Sequence, residues 1–116
     1  MTIAQINKAE WKTFFDQMSK SLEGNLAEVE LNSLAIGNQI QTQWTPLFGI
    51  SYDNKKQLIE VFMENLGHRI ANPEKVFVDQ QGFSISSLEI IDEDDTKQII
   101  KLRRPLSIEF SKKDVH

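Results

Sequence analysis

The sequence predicts an α+β fold, an N-terminal amphipathic helix packed on a strongly bent, mostly antiparallel sheet or small barrel of about six or seven strands. Three observations predict it. Apolar residues recur every three or four positions from Lys8 to Leu22, the spacing of one helix face. After Gly24 the period drops to two, the alternation of half-buried strands. The connections between the later apolar runs are short, which favours hairpins over helical crossovers.

The helix comes first. Trp11, Phe14, Phe15, Met18 and Leu22 share one face, with Lys12, Asp16 and Lys20 on the other. Asn7 is the expected N-cap, Glu10 completes a capping-box pair, Ile6 can staple against Trp11, and Gly24 supplies the stop. So aromatic a stripe could dock on a partner, but covering the domain's own sheet is the plainer role and the one adopted.

The strands follow. Ala27, Val29 and Leu31 alternate with Glu28, Glu30 and Asn32, and Ile40, Thr42 and Trp44 alternate with Gln39, Gln41 and Gln43. Pro46 has no ladder donor and should end that second strand or sit at a bulge or edge, with Phe48 to Tyr52 as a third. Asp53 to Lys56 is a turn before Leu58 to Met63, whose apolar residues on both faces suit a central position. Between Glu64 and Pro73 alternation lapses, which predicts a loop or helical turn holding Gly67, His68 and Arg69. Strands resume at Lys75 to Asp79, Phe83 to Ile91 and Thr96 to Arg103, with turns at Gln80 to Gly82 and at Asp92 to Asp95. The reading is one domain over residues 1–116, ordered from about 7 to 106, with a fraying tail over 107–116.

Composition narrows the function classes. With 116 residues, 40% of them hydrophobic and 26% charged, the chain suits one soluble domain rather than a disordered segment. A net charge of −4 disfavours a general nucleic-acid or anionic-membrane binder. No cysteine is present and only two histidines, so thiolate chemistry, disulfides and Cys-ligated metals are excluded, and no metal or cofactor is expected. The first residues have neither the basic flank nor the apolar run of a signal peptide, so a cytoplasmic location without membrane association is expected.

In order along the chain, Glu10-Trp11 with Phe14, Leu47 with Gly49 to Asp53, His68 with Ile70 and Pro73 before Val76 and Val78, and Leu88 to Ile90 through Thr96 to Leu102, Arg103 and Pro105 resemble a small bacterial family, domain-of-unknown-function family fifty-three thirty-five. The resemblance spans residues of about 10 to 105. It implies a bacterial, single-domain protein and brings no reaction, substrate, cofactor or catalytic residue.

Candidate sites come from the residues alone. Histidine as a residue type can carry or release a proton under physiological conditions, and His68 stands beside Arg69, so the pair could bind an anion or supply a general base; a histidine hydrogen-bonded within the fold is the plainer reading. The run Asp92 to Asp95 could gather calcium but lacks the spacing of an EF-hand loop, and reads as a solvated turn. Residues 74–95 carry a net −6 and residues 96–116 a net +4. Within the basic block, Lys97, Lys101 and Arg103 share one strand face, either an anion- or RNA-binding stripe or cross-strand partners for Glu89 and the acidic turn, and the second is favoured. Gln39, Gln41 and Gln43 make an uncharged face that could pair with another chain as a homodimer. Trp44, Phe48 and Tyr52 could line a pocket but read as core.

The expected function is a non-enzymatic accessory or protein-interaction module with a protein partner. The alternative is an anion- or RNA-binding small barrel using His68, Arg69, Lys97, Lys101 and Arg103. An enzyme using His68 is the less favoured third reading.

Overall fold

A computed structural model describes residues 2–22, 24–64 and 66–107. The order is β1 (Thr2–Ile6), a 3-10 turn (Lys8–Glu10), α1 (Trp11–Lys20), β2 (Leu26–Ser33), β3 (Gly37–Asp53), β4 (Leu58–Met63), β5 (Leu66–Ala71), β6 (Pro73–Gln81), β7 (Ser84–Asp92) and β8 (Lys97–Ser107). All strand pairs are antiparallel and form one sheet in the order β1-β6-β7-β8-β2-β3-β4-β5, so β1 and β5 are its unjoined ends.

Among the described residues the strand total is eight rather than six or seven, and of the bent sheet or small barrel expected, the open sheet is what they form. Two expected strands, on either side of Pro46, are one continuous β3; β1 and β5 are strands the sequence reading lacked. β5 occupies the stretch predicted as a loop, and β1 precedes residue 7, where the ordered core was expected to begin. Ser107 closes β8, and the remainder of the predicted tail lies outside the described residues.

β3 is long because it changes partner. Residues 37–46 pair with β2 and residues 47–53 pair with β4. The change falls at Pro46, whose missing N–H is tolerated there, while its carbonyl accepts from the Glu64 N–H at 3.1 Å. Bulges between Val29 and Glu30, between Ala27 and Val29, and between Leu47 and Gly49 add twist around this point.

Curvature brings distant strands together. β5 and β8 are four steps apart in the sheet, about 19 Å if it were flat, yet His68 Nε2 of β5 lies 2.5 Å from Gln98 Oε1 of β8. The enclosed inner face holds the core: Val29, Ile50, Ile59, Val61, Ile70, Val76, Leu88, Ile90 and Ile100 are all nearly inaccessible.

The helix fills this trough with Trp11, Phe14, Phe15 and Met18, as its spacing predicts. Asn7 caps the 3-10 turn through its side chain, which accepts from the Ala9 N–H at 3.0 Å. Glu10 contributes its backbone N–H to the Asn7 carbonyl at 2.9 Å. Trp11 donates its indole N–H to the Ile6 carbonyl at 3.0 Å and meets Tyr52 edge to face at 5.1 Å, tying β1, the helix and β3 together. Ser19 Oγ accepts from the Ile50 N–H at 3.0 Å and donates to the Ile50 carbonyl at 2.9 Å.

Candidate protein-interaction surface

The predicted site residues do not converge. His68 and Arg69 are neighbours in β5, so their side chains leave opposite faces of the sheet. His68 is half-buried on the inner face. Because Gln98 Oε1 can only accept, His68 Nε2 is the donor in their hydrogen bond. Arg69 stands on the outer face, its Nε 3.2 Å from Glu60 Oε2.

The β8 cations do share the outer face, and most are engaged there. Lys101 Nζ lies 3.6 Å from Glu28 Oε2 and 3.4 Å from Glu30 Oε1. Its partners thus come from β2, where Glu28 is opposite Lys101 in register, rather than from Glu89. Arg103 lies over the Trp44 ring at 5.3 Å. Lys97 is opposite Asn32 and Ile91.

The acidic turn is built from its own carboxylate. Asp92 Oδ1 accepts from the Asp94 N–H at 2.9 Å and the Thr96 N–H at 3.1 Å, an Asx-type closure. Glu93 is tied to Asn72 through backbone and side chain. Among the described residues, no three His, Cys, Asp or Glu side chains are grouped as a metal ion would require.

The glutamine stripe is not one face. Bulges place Gln39 opposite Leu31 on the inner side, while Gln43 reaches Glu28 Oε1 on the outer side at 3.3 Å. The strand edge over residues 37–46 that faces away from β2 has no strand pairing among the described residues, but its bulges and the positive φ of 47° at Trp44 bend it away from a flat template.

What the β2–β3 hairpin does offer is apolar side chains. Residues 31–52 contain no Asp, Glu, Lys, Arg or His. Of the eight large apolar side chains exposed among the described residues, five lie within that run: Leu34, Ile36, Ile40, Trp44 and Phe48. Trp44 and Phe48 are therefore not core, in contrast to Tyr52. Leu34, at the hairpin tip, is fully exposed. The absence of charge over this run was the signal in the sequence that reading strand by strand passed over.

The fold and this surface define a small α+β protein, an open, curved antiparallel sheet wrapped on one helix, with an uncharged run over residues 31–52. The chain belongs to the family of unknown function DUF5335, whose family model matches residues 2–110. An uncharacterized protein of Aquifex aeolicus (strain VF5) is 31% identical over 104 residues, covering 89% of this chain and 94% of the relative. No solved structure matches the chain. Among the described residues no helix is long and apolar enough to cross a membrane.

Proposed function

We propose that this chain is a bacterial, cytoplasmic, non-enzymatic interaction module that presents the β2–β3 hairpin to a protein partner. The reading rests on one observation: five of the eight exposed large apolar side chains fall in the uncharged run 31–52. Large apolar side chains left exposed along a stretch of chain with no charge are the kind of surface that a protein partner covers. The test is affinity recovery from a native lysate with the full chain immobilised, beside the variant Leu34→Asp with Ile40→Asp. A partner retained reproducibly by the wild type and lost by the variant is expected. Failure of the wild type to retain any partner above the control refutes the reading.

The anion- or RNA-binding alternative has weaker support. Arg69 and Lys101 are paired with carboxylates, and Trp44 beside Arg103 is one aromatic rather than a ladder of stacking platforms.

A further inference from the structure

A second feature lies on the outer face of the sheet over β1, β6, β7 and β8; none of residues 31–52 lines it, and it is independent of the reading above. Ile3, Phe77 and Ile99 wall a cavity of about 210 Å³ whose lining also includes Asp79, Ser87 and Glu89. Register brings them together: Ile3 is opposite Asp79, Asp79 opposite Ser87, Phe77 opposite Glu89, and Glu89 opposite Ile99.

The two carboxylates are half-buried. Among the described residues neither carboxylate has a hydrogen-bond or ion-pair partner. The nearest cation in register, Lys101 opposite Ser87, turns its ammonium to Glu28 and Glu30 instead. The cavity is thus apolar in its walls and uncompensated in its negative charge.

We propose that this cavity binds a lysine side chain presented by an extended peptide segment. A lysine has an aliphatic stem to lie against Ile3, Phe77 and Ile99, and a compact ammonium with three donors. Asp79 and Glu89 occupy diagonal positions across β6 and β7, about 7–8 Å apart by strand geometry, so one ammonium can lie between them. The volume falls below the ~300 Å³ at which small-molecule sites begin and suits a single side chain. A hard divalent cation requires six or more oxygens, which apolar walls do not offer. A peptide is favoured over a free amine because β1 is one of the two ends of the sheet left unjoined among the described residues, has no charged residue over Thr2–Ile6, and pairs with β6 without a register shift. An added strand there would deliver its side chain beside Ile3.

The experiment is a titration of the isotopically labelled full chain, followed by amide resonances, with an acetylated and amidated pentapeptide carrying lysine at its centre. Saturable shifts at Ile3, Phe77 and Ile99 are expected. A norleucine peptide, which keeps the stem and lacks the charge, should bind at least about tenfold more weakly, as should the peptide to Asp79→Asn or Glu89→Gln, each having lost one charge-assisted contact. Glu89→Gln alone carries the test if Asp79→Asn disturbs the fold. Absence of saturation, equal binding of the norleucine peptide, or unchanged affinity in the variants overturns the proposal. Binding of n-butylamine as tight as that of the peptide overturns the assignment to a peptide segment.

Discussion

Ser19→Ala tests how the helix is held to the sheet. Over residues 47–53, β3 has β4 on one side and, among the described residues, no strand on the other, and the N–H and carbonyl of Ile50 are satisfied by the single hydroxyl of Ser19 at 3.0 and 2.9 Å. Ile50 is 1% exposed, so removing the hydroxyl leaves a donor and an acceptor without a partner, at about 1–3 kcal/mol each if fully sealed from water. Ser19 itself is half-buried, which lets water recover part of that loss. The lower end applies to each group, giving about 2 kcal/mol in total, or a fall in Tm of roughly 8 °C for a domain of this size. Urea denaturation followed by tryptophan fluorescence measures both proteins. A loss below about 0.5 kcal/mol for Ser19→Ala at unchanged m would refute the docking argument.

Three further outcomes are expected. Trp11→Phe keeps a ring near Tyr52 but removes the donor to the Ile6 carbonyl; stability should fall by about 1–2 kcal/mol, and amide exchange at residues 3–6 should accelerate more than in β7. Asp92→Ala deprives the β7–β8 turn of the acceptor for two backbone N–H groups, costing about 1–2 kcal/mol in thermal denaturation, whereas Asp92→Asn, which retains a side-chain carbonyl, should lose less. Lys101→Met leaves Glu28, only 7% exposed, without its cation; a loss of about 1–2 kcal/mol is expected, and Glu28→Gln in the same chain should recover part of it.

The helix was legible because its signal is local. Trp11, Phe14, Phe15 and Met18 repeat at helical spacing whatever they meet, and all four are buried. The strands with apolar inner faces were legible for the same reason: Val76 and Val78, or Ile100 and Leu102, alternate with outer residues and lie in the core. β5 was missed because one of its inner positions is His68, a polar residue whose hydrogen-bond partner, Gln98, lies on β8. Gln98 is itself an inner-face residue, 5% exposed, so each polar group is explained by the other and neither by its neighbours in sequence. β1 was missed because its partner, β6, arrives some seventy residues later.

The same distinction separates the two surfaces. The hairpin surface is written in one uncharged run, so composition over residues 31–52 could have disclosed it without any pairing information. The cavity is different in kind. Asp79 and Glu89 look like ordinary solvated residues on alternating strands, and Lys101 looks available to either of them. Only the placement of β2 beside β8 gives Lys101 other carboxylates to serve. What makes the cavity a candidate site is therefore a competition between strands: β2 takes the cation, and β6 and β7 keep uncompensated charge against Phe77 and Ile99. Freeing Lys101 by replacing Glu28 and Glu30 with glutamine should let it turn toward Glu89 and weaken the lysine peptide, although neither substituted residue lines the cavity. Peptide affinity unchanged in that double variant would mean that Lys101 does not control the charge of the cavity.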